Sequence, residues 1–325
     1  VDEKTGLVTG ISKGNATITV TADDFSSTPV FASCNIGVKI VTPITGMTFT
    51  EDKELNQLGY GQEYQIKYTL DPVDATASLL TWTSDNPDMI SVDKTGKLKV
   101  HTTKAASAVI TASYGPVVQN VTVTVADGRF WYSLGNGLGN GLDNNWYLDG
   151  NNASVVSSDG NKTTVQMGSG YRGDLWLARS GKGKIVNVTP ADYRYFAIKV
   201  GFKSQLVPGK NKPNGCIKLE IFDDGIKKIG PEYFGTGGDA NNRYEILGAS
   251  EISTTEPNVL YYDLQSKYKT VTPTDWNQVF DLVQCKFVIA DFPETAQTYD
   301  LYWIRSFKSI EELQAFVDSE NNTNE

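Results

Sequence analysis

One short pattern occurs twice in this chain, and the repeat restricts the fold more than any other feature of the sequence. Residues 1–10 read VDEKTGLVTG, and the stretch from Val92 reads VDKTGKLKV. Each is followed by a small-residue turn and then by β-branched alternation, ATITVTA from Ala16 and SAVITASY from Ser107. Apolar residues at every second position are typical of a half-buried strand. The repeat therefore predicts β-structure built from two related units.

The spacing of the repeat indicates the size of each unit. Its two Thr-Gly turns, at Gly6 and Gly96, lie about one immunoglobulin-sized module apart. We therefore expect residues 1–41 to be the back half of one module and residues 42–126 to be a complete second one. The turn signal Ala-Asp-Gly that follows residue 125 predicts a domain boundary there.

A longer motif in the second unit identifies the type of module. The stretch from Tyr68, YTLDPVDATASLLTWTSDNPDMISVDKTGKLKV, resembles the bacterial immunoglobulin-like group 2 family. A proline-containing turn, a tryptophan in the TWTSDNP context and a VD-TGKL hairpin recur in that family. The resemblance implies that Trp82 is a core residue and that the repeats space and display the rest of the chain.

The remaining part, residues 127–325, is too long for one immunoglobulin unit and differs from the repeats. Strand-like alternation recurs there between long turn-rich loops, which indicates an antiparallel sandwich or jelly roll. We predict an all-β chain: tandem immunoglobulin-like sandwiches, then a larger jelly-roll-type β-sandwich with a short C-terminal helix. The strands predicted in the larger domain are 163–167, 174–178, 195–202, 217–222, 259–264, 286–290 and 299–307.

Two short helices are predicted in the larger domain. Residues 274–282 place Trp276 and Phe280 at helical spacing. Residues 309–317 begin with Ser309, and Glu312 follows three residues later, which is the pattern of a capping box.

The end of the chain carries a second resemblance. The segment YDLYWIRSFKSIEELQAF from Tyr299 is similar to the last strand and cap of surface glycan-binding proteins from Bacteroidetes polysaccharide-utilisation systems. The resemblance implies binding of a β-glucan or a hemicellulose such as mixed-linkage glucan or xyloglucan. It also implies a monomer at the cell surface, held in the outer membrane by a lipid anchor upstream of Val1, with other outer-membrane glycan-uptake proteins as partners.

Charge and cysteine content exclude several other classes. The net charge of −9 and the pI near 4.8 argue against nucleic acid and against docking on anionic lipid. Three cysteines, Cys34, Cys216 and Cys285, are too few for a disulfide scaffold. The sequence is compatible both with a disulfide between Cys216 and Cys285 and with free thiols at these two positions. The chain has no apolar stretch of membrane-spanning length. It has no signal peptide and opens in the middle of a strand-like pattern, so we expect it to be part of a longer protein.

Catalysis finds little support in the sequence. The single histidine, His101, lies in the spacer, so a histidine-based triad in the larger domain is excluded. A glycosidase needs only two carboxylates, and Glu220 with Asp224 is the candidate pair. The Asp223-Asp224-Gly225 sequence favours a hairpin turn instead. We predict a protein that is not an enzyme, with a jelly-roll glycoside hydrolase, or an adhesin or structural stalk, as the alternatives.

The loop SLGNGLGNGLDNNWYLDGNN is the most biased segment of the chain. It lacks the spacing of a nucleotide fingerprint. It offers oxygen ligands that suit Ca²⁺, but without the spacing of a known calcium loop. We therefore expect no cofactor, with structural calcium as the alternative; its ligands would be Asp143, Asn144, Asn145, Asp149 and Asn151.

A site that binds sugars requires a particular combination of residue types. The C–H face of a pyranose packs on an aromatic ring, while its hydroxyls need planar donors and acceptors. Two segments combine these groups, so the predicted ligand-binding residues are Trp146 and Tyr147, together with Tyr171, Arg172, Asp174 and Trp176. For Trp176, a core position is an equal alternative. Trp131, Tyr233 and Trp303 are secondary candidates, and for Trp131 and Trp303 the favoured role is packing.

Overall fold

The fold was determined from a computed structural model. The structure describes residues 1–22, 30–141, 145–149, 153–168, 173–179, 186–189, 191–206, 218–223, 244–265, 280–289 and 297–322. About 52% of the structure is strand and 8% is helix, and the described part ends in a short α-helix, so the predicted all-β class is confirmed. None of the described helices has the length and apolar character that crossing a membrane requires.

The first 41 residues contain one antiparallel hairpin. Its strands are β1 (Gly14–Ala22) and β2 (Val30–Val38), paired from Gly14 opposite Val38 to Ala22 opposite Val30. Both faces of this hairpin are largely exposed, including Val20 at 68% and Phe31 at 69%.

The second unit is a small sandwich. Its core contains Trp82, whose ring stacks on Phe49 at 5.9 Å and lies 5.5 Å from Tyr68. Trp82 is therefore a core residue, as the family resemblance implies. The strands are β3 (Gly46–Phe49), β4 (Leu58–Tyr60), β5 (Glu63–Gln65), β6 (Tyr68–Asp71), β7 (Thr81–Ser84), β8 (Ile90–Val92), β9 (Lys97–Val100) and β10 (Ala106–Tyr114), with 3₁₀ turns at Lys53–Asn56 and Ala77–Leu79.

One long strand joins this unit to the larger domain. Strand β11 (Val117–Ser133) runs through the boundary predicted after residue 126, with Gly128 at a φ of +68° inside it. Before that point β11 pairs with β10, and beyond it β11 pairs with the last strand of the larger domain. Strand β4 lies parallel to β11 on both sides of Gly128. The boundary is thus a bend within a strand and not a free linker.

The larger domain is a two-sheet sandwich. One sheet has the order β19-β20-β17-β22-β11, with β14 and β13 beside β22; the other, five-stranded sheet contains β12, β15, β21, β16 and β18. The strands are β12 (Tyr147–Leu148), β13 (Ser154–Ser158), β14 (Thr163–Gln166), β15 (Gly173–Ala178), β16 (Val186–Val188), β17 (Tyr195–Phe202), β18 (Lys218–Asp223), β19 (Glu245–Ile246), β20 (Asn258–Asp263), β21 (Phe280–Ile289) and β22 (Thr298–Phe307).

The core lies between these two sheets. Phe196 of the large sheet contacts Phe130 at 5.0 Å and Phe287 of the five-stranded sheet at 5.8 Å. Burial of each such side chain contributes about 1.5–3 kcal/mol. Because alternate residues of every strand point into this core, the remaining residues form the two outer faces of the sandwich.

The C-terminal helix α1 (Ile310–Asn322) covers part of the large sheet's outer face. Ser309 accepts a hydrogen bond from the Glu312 amide at 3.1 Å, and the Glu312 carboxylate accepts one from the Lys308 amide at 2.7 Å. The predicted helix start is therefore confirmed, although the glutamate caps Lys308 and not Ser309. The helix predicted at 274–282 is wrong over Phe280–Leu282, which belong to β21; residues 274–279 lie outside the described part.

Close packing at the module joint leads to a first prediction. Gly61 has a φ of +79°, and a Cβ added there would overlap the Tyr132 ring. The positive φ disfavours a side chain at this position, and the Tyr132 ring occupies the space that the side chain would need. We therefore expect Gly61→Ala to lower the free energy of unfolding by about 1–3 kcal/mol. Urea unfolding checks this, with Gly115→Ala in an open turn, where nothing lies near the added atom, as the control. Equal losses in both variants would contradict the packing argument.

Asp52 leads to a second prediction, on pH. Its carboxylate accepts hydrogen bonds from the Tyr64 hydroxyl at 2.5 Å and the Glu54 amide at 3.0 Å, and pairs with Lys67 at 3.1 Å. These contacts, that of Tyr64 foremost, lower the pKa of Asp52 from 3.8 to about 2.

A carboxyl group whose pKa is lower in the folded state than in the unfolded state stabilises the protein at pH values above its unfolded-state pKa. This stabilisation is lost as the pH falls through the folded-state pKa. We expect Asp52→Asn to cost about 2 kcal/mol at neutral pH, since hydrogen bonds to a charged group are lost. The difference from the parent should shrink as the pH falls from 3.8 towards 2. Urea unfolding at several pH values measures it, and a difference independent of pH would contradict the assignment.

Candidate ligand-binding site

Strand β15 divides its side chains between the core and an outer face. Leu175 and Leu177 point into the core between the sheets. Asp174 and Trp176 alternate with them and therefore lie on the opposite side, the outer face of the five-stranded sheet. Asp174 and Trp176, both predicted as ligand-binding residues, thus share one face, whereas Arg172 lies outside the described residues.

Strand β21 places a lysine beside these two residues. Lys286 is the register partner of Trp176, because β15 and β21 are antiparallel neighbours. Its ammonium lies 3.2 Å from a carboxylate oxygen of Asp174 and 4.5 Å from the centre of the Trp176 ring. Asp174 and Lys286 are each only 7% exposed, so the pair is held where water screens it little.

A second cation reaches the same ring from the end of β15. The Arg179 guanidinium lies 5.0 Å from the centre of the Trp176 ring and forms an ion pair with Asp149. Strand β12 brings Tyr147 opposite Trp176. Burial raises the pKa of the Tyr147 hydroxyl, and the charge of Arg179 opposes that rise.

We call these five residues, Tyr147, Asp174, Trp176, Arg179 and Lys286, the outer-face cluster. It joins two aromatic rings to one carboxylate and two cations on one side of one sheet. Trp176 is 8% exposed and Tyr147 5%, and Lys286 and Arg179 lie over the Trp176 ring. The charged groups supply hydrogen-bond donors and acceptors. This combination suits a ligand with an apolar face and a hydroxylated edge.

Trp146 requires a correction. The sequence predicts it as a ligand contact, but its side chain is fully buried in the core, 5.5 Å from Phe287 and 6.1 Å from Tyr132. Trp146 directly precedes β12 and belongs to the core cluster between the sheets, whereas Tyr147, the first residue of β12, does not. Trp146 is a core residue, and only its neighbour Tyr147 belongs to the outer-face cluster.

Two other tryptophans also pack within the protein. Trp303 is 3% exposed and donates a hydrogen bond from its indole to Glu320 of α1 at 3.0 Å. Trp131 lies between guanidinium groups, with Arg129 at 4.0 Å and Arg305 at 4.4 Å from its ring centre. Trp131 and Trp303, two of the secondary candidates for ligand contacts, therefore pack beneath α1 instead. Packing is the role that the sequence favoured for them.

The buried arginine in that stack shows how closed the region is. Burial lowers the pKa of Arg305 to about 10, against the opposing influence of Glu320, 3.7 Å away. The Arg305 guanidinium is enclosed by the rings of Trp131, Trp303 and Phe316.

Several predicted residues fall outside the described part of the chain. They are Tyr171, Arg172, Tyr233, Cys216 and Asp224, as well as the calcium candidates Asp143, Asn144 and Asn151. Within the described residues, no group of three or more metal-ligating side chains comes together. His101 lies in the immunoglobulin-like unit, 2.8 Å from the Ser91 hydroxyl, and burial lowers its pKa.

Sequence reasoning missed two members of the outer-face cluster. Lys286 comes from a strand far along the chain, and only its pairing with β15 brings it to Trp176. Its one sequence signal is a charge inside an apolar strand, between Cys285 and Phe287. Arg179 lies in the predicted binding segment, three residues after Trp176, but an alternating strand would point the two apart. The bulge between Trp176 and Ala178 changes that.

The two ends of the chain match different protein families. Residues 137–313 match the family described as Domain of unknown function (DUF4979), and this match covers more than half of the chain. Residues 1–31 match the Bacterial Ig-like domain (group 2). The resemblance to that family is thus confirmed for the first unit, and for residues 42–126 it stays a prediction.

Individual relatives are distant. An uncharacterized protein of Clostridium acetobutylicum is 27% identical over 111 residues, which are 34% of this chain and 11% of that protein. The chain therefore spans about a tenth of that relative's length.

Solved structures with similarity to this chain include carbohydrate-binding modules from the β-sandwich superfamily, at 10% identity and a TM-score of 0.29, covering 82% of this chain and all of theirs. The M60 catalytic domain with the CBM51-1 and CBM51-2 domains from Clostridium perfringens ZmpB is 11% identical, with a TM-score of 0.24, over 90% of this chain and 25% of that one.

Proposed function

The chain belongs to the family described as Domain of unknown function (DUF4979), and because that description assigns no ligand, we propose from its own residues that it binds a polysaccharide. The binding surface is the outer face of the five-stranded sheet. The observation that carries the proposal is the outer-face cluster, in which Trp176 lies beside Lys286, Asp174 and Arg179.

The cluster supplies both parts of sugar recognition. A pyranose ring would pack its C–H face on Trp176, and its hydroxyls would bond to the Asp174 carboxylate and the Lys286 ammonium. These two groups are pre-positioned by their mutual ion pair at 3.2 Å. Little ordering is therefore needed on binding, which favours affinity.

Because Trp176 is 8% exposed and Arg179 lies over its ring, binding requires that Arg179 move away from the ring. The Arg179 side chain is 40% exposed, and its contact with the Trp176 ring is of a kind that contributes about 0.5–1 kcal/mol at exposed positions. An arriving sugar can displace it from the ring at small cost. The guanidinium then remains close by as a hydrogen-bond donor to the ligand.

The remaining parts of the proposal rest on the two family resemblances seen in the sequence. We propose that binding is non-catalytic and that the ligand is a β-glucan or hemicellulose, with mixed-linkage glucan and xyloglucan first. We also propose display at the cell surface, with the immunoglobulin-like units as spacers. The acidic chain, at a net charge of −9, suits a neutral ligand better than an anionic one.

Affinity electrophoresis of the whole chain tests the proposal. Gels containing mixed-linkage β-glucan, xyloglucan, mannan or xylan are compared with a gel that contains no glycan. We expect retardation in at least one of the first two gels and no release of reducing sugar. Reducing-sugar release would identify a hydrolase, and unchanged mobility in every gel would reject glycan binding in favour of an adhesin or stalk.

A further inference from the structure

A small cleft lies where the second immunoglobulin-like unit meets the sandwich. Its volume is about 200 Å³, and both units line it. The immunoglobulin-like unit contributes Glu63 of β5 and Lys99 of β9, and the sandwich contributes Ser133, Asn136 and Asn145. The unit expected to act only as a spacer thus supplies charged groups to a cavity.

The joint that forms this cleft is tightly packed. Strand β11 is continuous through both units, and the Gly61 backbone lies directly against the Tyr132 ring. Beside it, Arg129 of the strand pairs with Glu54 at 2.8 Å, and the arginine is 3% exposed. Since the two walls are fixed by these contacts, the cleft exists before any ligand arrives.

The lining matches the chemistry of a hydroxylated ligand. Glu63, Lys99 and Asn136 line it with a carboxylate, an ammonium and an amide, which are donors and acceptors for sugar hydroxyls. The Asn145 amide bonds to Gly137 and Trp146, and the Ser133 hydroxyl accepts a hydrogen bond from Arg305. Glu63 pairs with Lys97, and the two side chains are 39% and 41% exposed. An ion pair this exposed is worth about 0–1 kcal/mol, so hydroxyl groups can compete for the Glu63 carboxylate.

The cleft also lies close to the outer-face cluster along the chain. Asn145 lines the cleft, and Tyr147, two residues later, belongs to the cluster. Two residues of extended chain span about 7 Å, which is of the order of one or two sugar units. The Cα atoms of these two residues are therefore no farther apart than one or two sugar units can span.

We propose that this cleft is a subsite for one sugar residue of the bound polysaccharide, so that the immunoglobulin-like unit takes part in recognition. The inference rests on the proposed function, because it extends the same binding path. The cleft is smaller than the ~300–1,000 Å³ of pockets that hold drug-sized ligands, which suits a single pyranose ring. Glu63, Lys99 and Asn136 are its recognition residues.

Calorimetry of the whole chain with mixed-linkage β-glucan oligosaccharides tests the subsite. The probes are the disaccharide, tetrasaccharide and hexasaccharide, and the variants are Glu63→Gln, Lys99→Ala and Asn136→Ala. Asp74→Asn and Lys94→Ala, exposed in the same unit and away from the cleft, are the matched controls. Equal thermal midpoints establish that every variant folds like the parent protein.

We expect each cleft variant to weaken hexasaccharide binding about 5-fold through a lost hydrogen bond, with the disaccharide and both controls unchanged. If the cleft variants match the parent for every probe while Trp176→Ala loses binding, the subsite is wrong and the proposed function stands. If the parent binds none of the probes and no glycan retards it, the proposed function fails and the subsite fails with it.

Discussion

Replacement of Trp146 by alanine is expected to lower the free energy of unfolding by about 3–5 kcal/mol. The side chain is fully buried between the two sheets, where it contacts Tyr132 and Phe287. Its removal leaves a cavity that close-packed neighbours cannot fill. For a domain of this size, the loss corresponds to a fall in Tm on the order of 10 °C. Urea and thermal unfolding, followed by tryptophan fluorescence, measure the effect.

Trp146→Phe is the matched variant for this prediction. The indole Nε1 of Trp146 has no hydrogen-bond partner among the described residues, so phenylalanine removes no hydrogen bond there. It should therefore cost clearly less than alanine while still filling most of the space. Both variants should bind glycan like the parent at temperatures where they are folded. A stable Trp146→Ala protein with lost binding would return Trp146 to the ligand site.

Trp176→Ala is expected to weaken polysaccharide binding by about 30-fold or more. Tryptophans at the centre of binding sites cost about 2 kcal/mol or more on truncation, and this one lies at the centre of the outer-face cluster. Trp176 is 8% exposed, but its ring contacts Lys286 and Arg179 on the outer face and lies outside the core cluster between the sheets, so we expect a smaller stability loss than for Trp146→Ala. Affinity electrophoresis and calorimetry measure the affinity, and urea unfolding measures the stability.

Controls separate a binding role of Trp176 from a structural one. Trp176→Phe keeps a flat apolar ring and should retain part of the affinity. Tyr261→Ala removes a half-buried aromatic ring from the outer face of the other sheet, where it packs on Tyr195, and should bind normally. A folded Trp176→Ala protein with the parent's affinity would place the site elsewhere. Comparable loss in Tyr261→Ala would show that the effect is not local.

Periodicity in the sequence predicted the strands of the sandwich well where the strands are long. The predicted segment 195–202 coincides with β17, and 299–307 differs from β22 by one residue. Strands β12, β16 and β19 were not predicted, because two or three residues are too few for a period of two to be visible. Strand β13 was missed as well, because its sequence SVVSS does not alternate.

The predicted helix at 274–282 illustrates the opposite error. A strand whose two faces are both buried can also have apolar residues three or four positions apart. Phe280 and Leu282 belong to the ten-residue strand β21, which pairs with three other strands. Tertiary pairing determines the structure of such a segment, and local spacing does not.

The candidate site was predicted in part. Tyr147, Asp174 and Trp176 were chosen from their residue types, and the structure brings these three together on one face. Trp146 was chosen for the same reason but belongs to the core cluster between the sheets, whereas Tyr147 does not. Residue type alone cannot tell which of two adjacent aromatic residues faces the ligand.

By itself, the sequence determined the β-class, the repeat of about one immunoglobulin module at the N-terminus and the capped C-terminal helix. Each of these depends on contacts between residues close in the chain or on a strand's own alternation. Only the tertiary structure decided that β11 joins the two units without a free linker, and that Lys286 lies beside Trp176. Both result from pairing between distant strands, whose register is set by packing of the whole core and leaves no local trace in the sequence.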